Sequence, residues 1–409
     1  MNTKEDATVG KLTPISARRC EDLLREMVSI PSVVGDPTRA HLWVTERLRD
    51  LGMTVSHYAV EGRTAPLVLG VLEGRGEGPG ILFDAHFDTV HARPEDWARD
   101  PWSAQVEDGV LYGRGAVDSK GTHIAMLAAI EAVVGSDAEL DGPIYFMSDS
   151  DGEDGFRGAV LMEDLGVRSR VGTVFSAEAT SNVGVEIAYP GISTWKVTAV
   201  GRTAHPTEPE KGINAISKVA KLVEAVDAGR LVTPKGDSEW FEPRVTIQAI
   251  RTLPGGGWTV PGRCDVVISV MSPAGTVLPE VEASIAAFLD ELAREDGEVS
   301  YEFKVLPMGA GRLWLRPGES DPDAPGVKAL MDAISEVRGV NGEIRRFNGG
   351  WVDAVELMRD GPDGFGAPTV ITFGPGDFEQ AHQVDEHIRV AEVAEAADIY
   401  ARTILSLLT

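Results

Sequence analysis

Cysteine is scarce in this sequence: Cys20 and Cys264 are the only two in 409 residues. Two thiols cannot build a disulfide framework, and neither lies in a CxxC pair, so a reducing cytoplasm is the expected compartment. Positive charge is short as well. The 64 acidic residues face 38 basic ones, for a formal net charge of −26, which argues against a nucleic-acid partner or an anionic membrane surface, since both need a basic footprint. No apolar run reaches membrane-spanning length; the most apolar helix candidate, HIAMLAAIEAVV from His123, is short and contains Glu131. The N-terminal MNTKEDATVGKLTP has no apolar core and predicts no secretory signal. Internal repeats and low-complexity tracts are also missing, which sets a repeat array aside.

What is present is enough chain for more than one core, so two domains, or one domain with a large insertion, are expected. The run ILFDAHFDTV, residues 81 to 90, organises the rest. Its apolar start suits a strand covered on both faces in a parallel sheet, and it carries His86 and Asp88 to the strand end, where ligands bind in open α/β sheets. An imidazole two residues from a carboxylate is either a metal ligand with its orienting partner or a satisfied histidine at a strand end.

Helices are predicted over 16–29 and 40–52, and an apolar helix runs from His123 to Gly135. Asp118 stands at the mouth of that helix, as a cap or as a ligand. The glycines before Lys120 do not have P-loop spacing. The strand from Ile144 to Met147 runs into an acidic turn with Asp149, Asp151, Glu153 and Asp154, which is either solvent-exposed or a cation site. A further strand, TVFSAE, ends in Glu178. From 192 to 306 the order is βαββαβ, a ferredoxin-like arrangement that reads as an inserted second domain between catalytic segments 1–191 and 307–409. The chain then returns to α/β alternation, with His382 in the loop after strand PTVITFGPG. The fold class is therefore α/β, a mixed and largely parallel sheet flanked by helices, with this insert.

Collected, the candidates are His86, Asp118, Glu153, Glu178 and His382. Mixed imidazole and carboxylate donors suit zinc or a similar divalent ion, and five ligands fit two such ions sharing a bridging carboxylate, an arrangement that holds and ionises water. HFD at 86–88, YGRGAVDSKG at 112–121, the acidic turn running into GFRGA, Glu178, GRTAHP at 201–206 with GINAI at 212–216, and FGPG with AHQVDEHI occur in the order and rough spacing of a known family. The sequence resembles, over nearly its whole length, the co-catalytic dizinc aminoacylase and carboxypeptidase family, which includes acetylornithine deacetylase, succinyl-diaminopimelate desuccinylase and glutamate carboxypeptidase.

The resemblance implies that Asp118 bridges two zinc ions, with His86 and Glu178 on one and Glu153 and His382 on the other. It makes Asp88 the carboxylate that orients His86 and implies a cis peptide after Asp118. His205 becomes the residue that reaches a partner subunit's active site to stabilise the oxyanion, so that the insert is a dimerisation domain and lid; read alone, His205 is a polar turn residue before Pro206. Gly349 and Gly350 fall where the family's backbone approaches substrate.

Two departures stand out. Ungapped alignment of the acidic turn puts Gly152 where the family has its glutamate general base, a group typically worth roughly 100-fold to 10,000-fold. Asp149, Asp151 and Asp154 are the nearby carboxylates. Trp258 and Val270 replace an Asn and an Arg that in the family help bind a substrate carboxylate; Trp258 either meets an apolar substrate group or packs inside the lid. The expected function is a cytoplasmic, homodimeric dizinc amidohydrolase or peptidase acting on a small amino-acid derivative. The alternatives are a non-hydrolytic metalloenzyme on the same scaffold and a metabolite-binding homologue without turnover.

Overall fold

The structure, a computed structural model, describes residues 12, 15–34, 38–60, 62, 64–150, 152–153, 158, 161–162, 165–236, 238–252, 258–308, 311–347, 352–358 and 368–409. Asp151, Asp154, Gly349, Gly350 and Trp351 lie outside these. Two compact units emerge, Met1–Ile187 with Ser320–Thr409, and Ala188–Glu319.

Helix α1 (Ala17–Val28) starts at Ser16, whose Oγ accepts from Arg19 N at 3.4 Å, and buries Cys20, Leu23, Leu24, Met27 and Val28 on one face. Helix α2 (Thr38–Asp50) buries Ala40, Val44 and Leu48 likewise. Strands β1 (Thr54–Tyr58), β2 (Leu67–Leu72) and β3 (Gly80–His86) follow, with β3 buried from Gly80 to Ala85 as its apolar composition requires. The short strands β4 (Gln105–Glu107) and β5 (Val110–Tyr112) lead to a wide turn over Ala116–Lys120 and then to α3 (Gly121–Val134). Helix α3 is apolar nearly all round and correspondingly buried, packed on α1 and on the C-terminal helix. Burying each large side chain this way contributes about 1.5–3 kcal/mol. Lys120, at the mouth of α3, is wholly buried, and its Nζ donates to the carbonyls of Met27 and Ile30 at 3.1 and 2.9 Å. Strands β6 (Ile144–Asp149), β7 (Val171–Ala177) and β8 (Gly184–Tyr189) close this first run.

The second unit takes up β9 (Gly191–Val200), α4 (Ala215–Asp227), β10 (Arg244–Thr252), β11 (Arg263–Ser272), α5 (Leu278–Asp296) and β12 (Ser300–Leu306). Its antiparallel sheet has the order β10-β11-β9-β12, a ferredoxin-like βαββαβ arrangement. Trp195, Val197, Cys264, Val266, Ile268 and Val270 form its core with the apolar faces of α4 and α5. Strand β13 (Gly318–Glu319) pairs with the end of β8.

Back in the first unit come α6 (Pro325–Arg338), β14 (Glu343–Arg346), β15 (Thr369–Phe373), β16 (His387–Arg389) and α7 (Val390–Leu408). The sheet order is β1-β2-β6-β3-β7-β15-β8, with β6, β3, β7 and β15 mutually parallel and β1, β2 and β8 antiparallel to their neighbours. Tyr400 of α7 sits among Phe83, Phe175 and Phe373 and donates its hydroxyl to the Phe373 carbonyl at 2.5 Å. This core fixes the strands whose carboxyl ends carry the candidate ligands.

Candidate metal centre

Parallel pairing brings the carboxyl ends of β3, β6 and β7 to one edge of the sheet. His86 is the last residue of β3, and Glu178 follows the last residue of β7. Glu153 lies four residues beyond β6, Asp118 lies in the turn before α3, and His382 lies between β15 and β16. Ligand atoms of His86, Asp118 and Glu178 fall within 4.8 Å of one another, and so do those of Asp118, Glu153 and His382.

Asp118 faces both imidazoles. Its Oδ1 lies 3.3 Å from His86 Nε2, and its Oδ2 lies 3.1 Å from His382 Nε2, which is also 3.1 Å from Glu153 Oε2. The Asp118–Ser119 peptide is cis. Asp88 is fully buried, 3.3 Å from His86 Nδ1, and accepts from the backbone N–H groups of Gly152 and Glu153 at 3.1 and 3.2 Å. Val90 N donates to Glu153 Oε1 at 3.0 Å, which leaves Oε2 for His382.

The electrostatics describe a site with too much uncompensated charge for its burial. Burial, reinforced by the charge of Asp118, pushes the Glu178 carboxyl well above the usual range, and Glu178 Oε2 is a buried acceptor with no hydrogen-bond partner among the described residues. Burial works against a charged His86, yet hydrogen bonds to Asp118 and Asp88 outweigh it and hold the ring well above its ordinary value. His382 is raised to about 10, first by Asp118 and then by Glu153. Asp118 is held below its ordinary value; burial opposes this, and the two imidazoles overcome it. A partnerless buried carboxylate oxygen, and two nitrogen–oxygen trios sharing one carboxylate, fit a pair of divalent cations.

The five candidate ligands themselves line a cavity of about 170 Å³, together with residues that include Asp84, Asp149, Gly152, Ser176, Phe347 and Phe378. Gly152 packs so closely on His86 that a β-carbon there would overlap ring atoms Cγ and Cδ2. The space beside position 152 is thus filled by the imidazole, and the glycine is a packing requirement. Asp84 is buried, accepts from Ser176 Oγ at 3.2 Å, and is raised to about 6 by burial. Sequence reasoning passed over it; a carboxylate inside the apolar run ILFDA was the available signal. Arg114 and Glu386 were missed too, although both lie inside motifs already singled out.

His205 and Trp258 belong to the second unit. His205 is exposed, with Nδ1 2.7 Å from Thr207 Oγ1. Trp258 is 81% exposed, which rules out packing inside that unit. Val270 is fully buried in the core formed with α4 and α5, so a cation at this position would be buried in apolar surroundings. Gly350 lies outside the described residues.

A profile of peptidase family M20/M25/M40 matches residues 82–406. Succinyl-diaminopimelate desuccinylase of Stenotrophomonas maltophilia (strain R551-3) is 28% identical over 402 residues, covering 95% of this chain and 98% of that protein. Among solved structures, the fold is similar to aminopeptidase PepT from Bacillus cereus ATCC 10987, with a TM-score of 0.76 and 20% identity over 97% of this chain and all of that one (100%). It is also similar to human carnosine dipeptidase 1, with a TM-score of 0.69 and 20% identity over 96% of each chain. A Bacillus subtilis dinuclear metal binding peptidase of the M20 family gives a TM-score of 0.67 at 13% identity, over 95% of this chain and 97% of that one.

Proposed function

We propose, on the premise that the chain belongs to peptidase family M20/M25/M40, that it is a metal-dependent amidohydrolase cleaving an amide in a small amino-acid derivative or dipeptide-like substrate. The observation that carries this reading is the pair of ligand trios meeting at Asp118. His86, Asp118 and Glu178 would hold one divalent ion, Asp118, Glu153 and His382 would hold the other, and zinc suits the mixed donors. When bound, such a pair polarises an amide carbonyl and brings the pKa of water toward neutrality. The chain's own groups do the positioning. Asp88 engages the Nδ1 side of His86 so that Nε2 faces the centre, and Val90 N–H fixes one oxygen of Glu153 so that the other is presented. Besides Asp118, the buried carboxylates that share the cavity with Gly152 are Asp84 and Asp149. The names of the desuccinylase and dipeptidase relatives support the small amino-acid substrate class.

The reading extends to a cytoplasmic homodimer formed through the second unit, in which His205 of one chain stabilises the oxyanion in the site of the other. Its support is the family-like GRTAHP segment and the exposed imidazole. Coexpression of His205→Ala and His86→Ala chains tests it: mixed dimers should recover activity that neither variant has alone, and no recovery rejects the exchange.

The main test is elemental analysis of purified protein, followed by a panel of N-succinyl and N-acetyl amino acids and dipeptides in ¹⁸O-water. Two ions per chain and label in the carboxylate product are expected; a metal-loaded protein that converts none of the panel overturns the proposal. Gly152 favours a second reading, a non-hydrolytic metal-assisted reaction, for which turnover without label would be the signature.

A further inference from the structure

Glu386 is fully buried and none of its carboxylate capacity is turned toward the cavity. Oε1 accepts from the backbone N–H of Val117 at 2.7 Å and of Asp118 at 3.1 Å. Oε2 accepts from Gly115 N at 2.9 Å and from Arg114 Nη1 at 2.7 Å. Arg114 is itself buried beneath the Trp97 ring, 5.1 Å from its centroid, and its Nη2 donates to the carbonyl of His382 at 3.3 Å. Every one of these bonds ends on the chain that carries Asp118 or the chain that carries His382.

We propose that Glu386 is a positioning residue that sets the metal pairing: it fixes the backbone of Asp118 and, through Arg114, that of His382, so that the Asp118 carboxylate is shared between the two imidazoles. This rests on the two-ion reading above. A buried ion pair by itself is weak grounds for stability; here the partners are the backbone donors that fix where a ligand stands, and such outer contacts are typically worth about 10- to 100-fold in metal affinity. The ion held by Asp118, Glu153 and His382 depends on the clamp at two ligands. The ion held by His86, Asp118 and Glu178 depends on it at one, because β3 and β7 hold the other two.

The test uses full-length wild type, Glu386→Gln and Arg114→Lys, stripped with chelator and titrated with Co²⁺ alone while the visible absorption is followed, with thermal unfolding of the metal-free forms as a check on the fold. Glu386→Gln turns an amide N–H₂ toward backbone donors. It should weaken one cobalt about 10- to 100-fold and bleach the bands of that site, while the other ion, which depends on the clamp only through Asp118, weakens by distinctly less. Arg114→Lys keeps a cation but loses the reach to His382, and should weaken the same ion by less. Two ions at wild-type affinity in Glu386→Gln, or equal weakening of both as a merely structural role would give, overturns the proposal. If Glu386→Gln does not fold, unchanged cobalt binding by Arg114→Lys overturns it. A wild type that binds no cobalt sinks the two-ion reading, and this inference with it; a wild type with two ions and an unaffected Glu386→Gln sinks the inference alone.

Discussion

The two trios that meet at Asp118 are held by different means. His86 and Glu178 stand at the ends of neighbouring parallel strands, where ladder hydrogen bonds set their spacing. Glu153 and His382 come from loops, and His382 has a left-handed backbone, φ 62°. The side chain of His86 is 13% exposed and that of His382 52%. A ligand set on strands inherits the rigidity of the sheet, whereas one on loops rests on contacts made for it, here Val90 N–H, Asp88 and the Glu386–Arg114 clamp. The loop-borne half should therefore yield first to chelators, protons and nearby substitutions.

The most severe way to erase the contrast is Asp118→Ala, which takes a ligand from both trios. It should abolish two-ion binding, and any hydrolysis with it, as read by elemental analysis and turnover. Gly152→Ala attacks the strand-borne half. Its methyl would press on the His86 ring, so an affinity loss of about 10- to 100-fold is expected at the His86 ion, against a smaller change at the His382 ion. Gly152→Glu should do the same rather than restore a base; a gain in hydrolysis would contradict the packing described for His86.

A gentler probe is pH. The His382 value is raised from 6.5 to about 10 in the metal-free fold. Its stabilisation is thus complete below pH 6.5 and is lost as pH rises through about 10. The unfolding temperature in chelator should fall across that window. Ion binding displaces the imidazole protons, so zinc affinity should rise over the same range. Parallel melting curves with chelator and with zinc check both signs. The smallest effect is expected from Tyr400→Phe, which removes a buried hydrogen bond to the Phe373 carbonyl and touches no ligand side chain, and should cost about 0.5–1.5 kcal/mol. It serves as the control, since it should leave the ratio of the two ion affinities unchanged.

Much of this architecture was legible in the sequence, for identifiable reasons. The fully apolar start of ILFDAHFDTV and the apolar helix beyond Lys120 could only be interior elements, and both are. The βαββαβ insert was readable because its outer strands β10 and β12 alternate and its helices are amphipathic. His86, Asp118, Glu153, Glu178 and His382 could be nominated because imidazoles and carboxylates at strand ends form a pattern of residue types, and the fold brings these five together. Glu386 left no such pattern, since three of its four partners are backbone N–H groups some 270 positions away and any residue type supplies those. The tight fit of Gly152 on His86 was equally invisible, because a glycine in an acidic turn does not say which ring lies against it.

Lys120 adds a dependence of another kind. Its ammonium reaches out of the ligand-bearing turn to two carbonyls at the end of the first helix. A protease that clipped the chain just beyond Ile30 and let that helix drift away would deprive a side-chain nitrogen two residues from Asp118 of both carbonyl acceptors. Damage at the leading end of the polypeptide would then register at its centre, and a nick remote from the reacting atoms would behave like a lesion among them.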